Sequence, residues 1–187
     1  MLGVLLIAIT AAVYSPVRTH GFIDFDDPIY ITHNSKVLEG ITWGGLRWAF
    51  TSGYAENWHP LTWLSHMLDI QLFGLQAGYH HVTSLVLHIT NSVLLLAVLY
   101  RMTGAARRSA VVAALFAIHP MHVESVAWIA ERKDVLSTLF FMLTLLAHAR
   151  YVRNRNWRLY VVVVTLFALG LMAKPMSMEV LGIALRP

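Results

Sequence analysis

Apolar residues are gathered into long runs that are separated by polar stretches along this 187-residue chain. Several runs approach the roughly 20 residues that a helix needs to cross the hydrocarbon core of a bilayer. His119 and Pro120 interrupt the third run, and a proline inside a span kinks the helix. The pattern predicts an all-α integral membrane protein, a single membrane domain over residues 1–187. Its spans are expected at about 2–14, 82–100, 109–130, 135–149 and 159–173, with the start of a sixth at 176–187.

The polar region between the first two apolar runs is rich in aromatic residues. Residues 40–75 include Trp43, Trp48, Trp58 and Trp63 among apolar positions. Tryptophan is favoured at the membrane–water interface, so this pattern predicts short amphipathic helices that lie there. A packed aromatic cap over the helical bundle is an alternative, and the two interpretations are compatible.

The composition agrees with a membrane protein. Hydrophobic residues make up 57% of the chain and charged residues 13%. The charged share is about half that of a typical soluble domain. The chain has no cysteine, which excludes disulfides and thiolate chemistry. The opening run lacks a basic flank and a small-residue cleavage site, so we interpret it as a short or N-terminally truncated first span rather than a signal peptide.

The charges are divided between two sets of loops. The loops after the second and fourth spans carry arginines and no acid, whereas the acidic residues lie in the other loops. Cytoplasmic loops are usually enriched in Lys and Arg. We therefore expect the arginine loops to be cytoplasmic, and residues 15–80, 119–134 and the region around Lys174 to face the opposite side.

Three carboxylates, Asp24, Asp26 and Asp27, follow the first apolar run. They repel one another wherever the dielectric constant is low, so their position at the mouth of a span favours a functional role. In an extended segment Asp24 and Asp26 share one face, where one could act as a general base while its neighbour orients a ligand. The structural alternative is a turn or helix cap, which the sequence Asp-Asp-Pro serves well.

Histidines interrupt the third apolar run. On a helix, His119 and His122 would lie one turn apart, which is a spacing that metal ligands use. Glu124 falls off that face, so the match to a metal triad is poor. A pair of histidines that hydrogen-bond loop groups is the alternative, and the adjacent His80 and His81 are weaker candidates.

Four charged residues, Glu131, Arg132, Lys133 and Asp134, stand at the head of the fourth span. Together with Lys174 they bring cations to loops that are otherwise acid-rich. Cations at this depth suit a lipid phosphate held at the membrane surface. Alternatively, the side chains snorkel or neutralise one another locally, Glu131 with Arg132 or Asp134 with Lys133.

A further polar segment is Asn57-Trp58-His59-Pro60-Leu61-Thr62, followed by His66. Imidazole and amide groups beside an aromatic surface are typical of sugar contacts. The alternative is a structured loop in which Pro60 fixes a turn and Trp58 packs.

Several of these motifs, taken in order, resemble one family. It comprises the membrane domains of bacterial tetratricopeptide-repeat (TPR) proteins related to the transmembrane and TPR-repeat O-mannosyltransferases. The resemblance covers about residues 20–178. The residues that carry it are Phe25-Asp26-Asp27, Trp58-His59-Pro60-Leu61-Thr62, His80-His81, His119-Pro120-Met121-His122-Val123-Glu124, Glu131-Arg132-Lys133-Asp134 and Ala173-Lys174-Pro175.

The resemblance implies a GT-C glycosyltransferase fold in a bacterial inner membrane, with the active site on the periplasmic face. Such enzymes transfer a mannose-like sugar from a polyprenyl-phosphate lipid to an acceptor hydroxyl on protein or glycan, and no nucleic acid is involved. Asp26 aligns with the catalytic base of the family, and Asp27 with the carboxylate that follows it. GT-C enzymes usually have more spans, and no TPR helices are present, so we expect a fragment of a longer protein.

The resemblance and the residue patterns together give an expected substrate site. The residues that we assign to donor or acceptor binding are His59, His119, His122, Glu124, Arg132, Lys133 and Lys174. A divalent cation held by the histidines is a further option, with no certain cofactor. A non-catalytic membrane anchor of a TPR scaffold and a lipid-binding or transport protein are alternative functions. Transport is disfavoured because His88 and Asn91 are the only clear polar pair inside a span.

Overall fold

A computed structural model describes residues 2–174 of the chain, and every regular element in that range is helical. The expected sixth apolar segment, 176–187, lies outside the described residues. The helices are α1 (Leu2–Tyr14), α2 (Ser35–Leu38), α3 (Trp43–Thr51), α4 (Pro60–Phe73), α5 (Ala77–Thr103), α6 (Ala106–Ile118), α7 (His122–Ala127), α8 (Arg132–Arg153) and α9 (Trp157–Ala173). Short helical turns occur at Ser15–Thr19, Pro28–Thr32, Tyr54–Glu56 and Ile129–Glu131.

Within residues 2–174, three helical stretches are long and apolar enough to cross a membrane. They are Leu2–Thr19, Ala77–Thr103 and Ile129–Arg153, and the apolar helix Trp157–Ala173 is somewhat shorter. The long helix α5 packs against α1, α6 and α8, and α9 packs along α8. This arrangement confirms the all-α fold class with apolar helices of bilayer length.

The third apolar run, expected over 109–130, is not one helix. Helix α6 ends at Ile118, His119 has an extended backbone (φ −65°, ψ 132°), and α7 begins only at His122. The cause is Pro120, because a proline sterically disfavours the helical conformation of the residue before it. His119 and His122 therefore do not share a helix face as the spacing alone predicted.

Polar side chains inside the bundle join neighbouring helices. The Asn91 side-chain amide on α5 donates to the Val135 carbonyl of α8 at 2.8 Å, and the His88 Nε2 lies 2.9 Å from the Ala117 carbonyl of α6. Such interhelical hydrogen bonds satisfy polar groups that lipid cannot. The polar pair singled out in the sequence thus has a structural explanation.

The region between α1 and α5 is a packed cap rather than a loose loop. Its buried residues form one core with the 129–131 turn, made of Tyr30, Ile31, Val37, Ala49, Trp63, Met67, Ile129 and Ala130. Helix α4 supplies Trp63 and Met67, four residues apart and therefore on one face. Trp43, by contrast, is 85% exposed. The cap holds the aspartate segment against the head of α8.

Charge is unevenly divided between the two ends of the bundle. The Arg153 guanidinium at the end of α8 donates to the Arg101 carbonyl at the end of α5, at 3.0 Å. The arginine-rich ends therefore meet at one end of the bundle. At the opposite end Lys174, which follows α9, forms an ion pair with Asp134 at the start of α8. The acidic residues and the aromatic cap lie at this second end.

Candidate functional site

Arg132, the first residue of α8, is fully buried and forms an ion pair inside the protein. Its Nη1 donates to Asp69 Oδ2 at 2.5 Å, and its Nη2 donates to the His80 carbonyl at 2.6 Å. Weaker contacts reach Ser84 Oγ at 3.3 Å and Ser65 Oγ at 3.4 Å. The guanidinium thus ties α8 to α4 and α5. It has no exposed face for a lipid phosphate, contrary to the expectation from sequence.

Lys133 turns in a different direction, toward the aspartate segment. Its ammonium lies 2.8 Å from Glu131 Oε1 and 5.0 Å from the centre of the Tyr30 ring. The side chain keeps 14% of its surface exposed. The positive charge is therefore held in place by a carboxylate and an aromatic face, and it remains reachable from outside.

Asp134 contacts α7 and the residue that follows α9. One carboxylate oxygen pairs with the Lys174 ammonium, and the other accepts from Ser125 Oγ at 3.2 Å. The α9 end that carries Lys174 is also fixed by Thr62, whose hydroxyl donates to the Ala173 carbonyl at 2.8 Å. Lys174 is 26% exposed, so its ammonium is a second partly accessible cation at this end.

Asp27 fastens the aspartate segment to the head of α8. Its carboxylate is buried and accepts from the Ile23 amide at 2.8 Å and from the Ala130 amide at 3.0 Å. Burial raises the pKa of the Asp27 carboxyl, and the two amide hydrogen bonds oppose this shift. Both oxygens are occupied by backbone groups, so the structure favours a positioning role for Asp27 over the catalytic role expected from sequence.

Asp26 is partly exposed and lies in the turn before the short helix Pro28–Thr32. The Tyr30 amide donates to the Asp26 carbonyl at 2.9 Å. Burial raises the pKa of the Tyr30 hydroxyl, which the Lys133 ammonium lowers and the Glu131 and Asp26 carboxylates raise. The Asp26 carboxylate and the Lys133 ammonium therefore both act on the Tyr30 hydroxyl.

His59 is buried against Tyr30 rather than exposed in a loop. Its ring stacks on Tyr30 at 5.6 Å and contacts Trp63 at 4.6 Å. Burial, with a smaller effect of the Lys133 ammonium, lowers the pKa of His59 to about 4. A neutral imidazole packed between aromatic rings is a wall of the site, not a surface that a sugar reaches directly.

His66, which lies on α4 seven residues after His59, is in a similar buried environment. It is buried, and desolvation lowers its pKa well below the usual value, with Arg132 as the next cause. Neither ring nitrogen of His59 or His66 has a hydrogen-bond partner within the described part of the protein. Buried polar groups are usually satisfied by ordered water when protein groups do not reach them.

His119 lies between α6 and α7, and His122 and Glu124 lie on α7. His119 and Glu124 are exposed, and the His119 Nδ1 accepts from the Met121 amide at 3.2 Å. His122 packs on Phe116 at 4.3 Å. Burial lowers the pKa of His122, as does His119, whereas Asp134 raises it. A cavity of about 130 Å³ lies here, lined by His88, Asn91, Phe116, His122, Ser125, Asp134, Val135 and Thr138.

The positions of the histidines determine whether they could hold the divalent cation suggested from the sequence. Between residues 2 and 174, no three His, Cys, Asp or Glu side chains converge in a way that could hold an ion. His119 and His122 have their ring centres 6.3 Å apart. The described residues do not form the ligand set that a bound divalent cation would need.

Two important residues, Asp69 and Tyr30, were not predicted from the sequence. Asp69 is the buried partner of Arg132, although the two are 63 positions apart in the chain. Tyr30 contacts Lys133 and stacks on His59. The only available signal was the position of Tyr30 four residues after Asp26, since residues four apart meet on a helix.

The sequence profile of the dolichyl-phosphate-mannose-protein mannosyltransferase family matches residues 62–185. Among curated proteins, the chain is 36% identical to protein O-mannosyl-transferase TMTC1 of Homo sapiens over 67% of its own length and 15% of the relative. It is 31% identical to TMTC4 of Homo sapiens, over 85% of its own length and 25% of the relative. It is 29% identical to TMTC3 of Mus musculus, over 96% and 20% respectively. The chain therefore spans at most a quarter of these relatives. No solved structure matches it.

Proposed function

The chain belongs to the dolichyl-phosphate-mannose-protein mannosyltransferase family, and we propose that it is the part of a membrane glycosyltransferase that carries the catalytic base. The reaction is the transfer of a mannose-like sugar from a polyprenyl-phosphate lipid to an acceptor hydroxyl on a protein or glycan. The site faces the periplasm of a bacterial inner membrane. Membership of the TPR-repeat class, which the resemblance implies, remains a prediction.

One observation carries this proposal: the Asp26 carboxylate, on a partly exposed residue, and the Lys133 ammonium both act on the Tyr30 hydroxyl, at the end of the bundle that carries the aromatic cap. Glycosyl transfer to a hydroxyl needs a base for the nucleophile and positive charge for the departing phosphate. Both groups are present here, and they belong to segments that Asp27 fastens together.

In the proposed reaction, the Asp26 carboxylate takes the proton from the acceptor hydroxyl. The resulting oxygen nucleophile attacks the anomeric carbon of the donor sugar. A new glycosidic bond forms as the bond between that carbon and the phosphate oxygen breaks, with inversion at the carbon. The bonding electrons leave with the lipid phosphate, whose charge is stabilised by Lys133 and Lys174.

Two of the expected substrate contacts change in this proposal. Arg132 is left out of the phosphate site because its guanidinium is committed to Asp69 and the His80 carbonyl. His59 is assigned to the wall under Tyr30. His119 and Glu124 are exposed and His122 lines a cavity together with Asp134, so these three are assigned to the acceptor.

The test compares Asp26→Asn with Asp24→Asn in the full-length membrane protein. Asp24 is exposed and two positions away, so it is a matched control for charge. Loss of a general base typically lowers a rate by about 10²–10⁴-fold. We expect Asp26→Asn to reduce mannose transfer from a polyprenyl-phosphate donor by at least about 100-fold, with an unchanged melting temperature. Wild-type transfer by Asp26→Asn would refute the assignment, as would equal losses in the two variants.

A further inference from the structure

A groove of about 610 Å³ opens where the first apolar stretch ends and α5 begins. One wall is formed by residues 18–21, and the other by Gln76 and the first turns of α5, including Val82. The walls meet at Gly78, where an added Cβ would stand 2.2 Å from the Arg18 carbonyl oxygen. The two segments are therefore in direct backbone contact along the floor of the groove.

Among the described residues, the lining of the groove includes Arg18 and no Asp or Glu. Arg18 is exposed, and within residues 2–174 its guanidinium has no ion-pair partner. Gln76 adds an exposed amide and Tyr79 a phenol, both of which can donate hydrogen bonds.

The groove also lies at the depth of the membrane surface. Thr19 ends one candidate membrane span and Ala77 begins the next. Tyr79 is half-exposed and stacks on Phe73 with ring centres 5.0 Å apart. Tyrosine is enriched at the level of lipid headgroups, where its ring meets apolar chains and its hydroxyl meets water. Val82, one turn further along α5, continues the wall as an apolar surface.

We propose that this groove binds the phosphate group of an anionic phospholipid from the surrounding bilayer. Arg18 forms the charged contact, for which the planar guanidinium offers paired donors to phosphate oxygens. Gln76 and Tyr79 supply further donors, and the acyl chains run past Val82. None of Asp26, Lys133 and Lys174 lines the groove, so its lipid is distinct from the donor of the proposed transfer reaction.

Phospholipid binding to the purified full-length protein in detergent tests this site. Dioleoyl-phosphatidylglycerol is titrated against wild type, Arg18→Ala, Arg18→Lys and the control Arg47→Ala, with phosphatidylcholine and inorganic phosphate as comparison probes. Arg47 is exposed on α3 and lies outside the groove. One arginine near an anionic surface contributes about 1 kcal/mol, which corresponds to roughly a fivefold change in the dissociation constant.

We expect Arg18→Ala to weaken phosphatidylglycerol binding by about fivefold. Arg18→Lys, which keeps the charge but not the paired donors, should weaken it less, and Arg47→Ala should stay close to wild type. Phosphatidylcholine and inorganic phosphate should bind more weakly than phosphatidylglycerol. If Arg18→Ala and Arg47→Ala weakened phosphatidylglycerol binding equally, the lipid would be held by general electrostatic attraction, and the proposed site would be refuted. A polyprenyl phosphate whose binding depends on Arg18 more than that of phosphatidylglycerol would overturn it too, by assigning the groove to the donor.

Discussion

Replacement of Arg132 by methionine distinguishes an internal ion pair from a phosphate ligand. Methionine has a similar length and no charge. The substitution removes the donor to Asp69 Oδ2 at 2.5 Å and the donor to the His80 carbonyl at 2.6 Å. Asp69, only 2% exposed, would keep the Thr83 hydroxyl at 3.0 Å as its hydrogen-bond donor. An almost fully buried carboxylate would then lack its cation.

The expected cost follows from that burial. Breaking a buried ion pair by removing one partner typically destabilises a protein by about 3–5 kcal/mol, since the remaining charge is left desolvated. For a chain of this size each kcal/mol shifts the melting temperature by about 2–4 °C. Arg132→Met should therefore lower the melting temperature by about 10 °C. The double variant Asp69→Asn/Arg132→Met, which leaves no unpaired charge, should recover much of this loss.

Thermal unfolding in detergent measures these differences, with Arg107→Met as a control. Arg107 is exposed at the opposite end of the bundle. A melting temperature for Arg132→Met that equals that of Arg107→Met would refute the structural role. It would do so most clearly if donor binding were lost at the same time, because that pair of results is what a phosphate ligand predicts.

Two further predictions concern the segment that carries Asp26. Asp27→Ala should destabilise the protein by about 2 kcal/mol or more, because the Ala130 amide loses its partner in a buried position; Asp24→Ala is the exposed control, and equal melting temperatures would contradict the fastening role. His59 should make stability depend on pH, since its pKa is about 4 in the folded protein and about 6.5 in the unfolded chain. The unfolded chain binds more protons at His59 between these values, so the contribution of His59 to stability is full above pH ~6.5 and decreases by about 3 kcal/mol as the pH falls to about 4. His59→Gln should reduce the slope of the melting-temperature profile over this range and the exposed His33→Gln should not, so matching profiles for the two variants would count against the buried neutral imidazole.

The helices and their main interruption could be predicted from the sequence, because they depend on local properties. Apolar runs located the long helices α5, α8 and α9, and Pro120 marked the end of α6. A conformational restriction that acts on the preceding residue needs no knowledge of the rest of the fold.

The pairing of charges at the head of α8 could not be predicted in the same way. Successive helical residues point about 100° apart, so neighbours such as Lys133 and Asp134 do not face each other. Asp134 instead pairs with Lys174, 40 positions away, and Arg132 pairs with Asp69, 63 positions away, and the tertiary fold supplies both partners. The number of charged residues at this site could be read from the sequence. The accessibility of each cation could not, because it depends on contacts between distant segments.

The Asp27 contact has a mechanical consequence. Because its carboxylate joins the Ile23 amide to the Ala130 amide, the segment that bears Asp26 is attached to the turn from which α8 starts. If α8 tilts within the bilayer, the base and the Lys133 ammonium travel together as one unit. The distance between them then changes little when the bundle distorts. Lys174, carried on a different helix, is the cation whose distance to the base such a tilt would change.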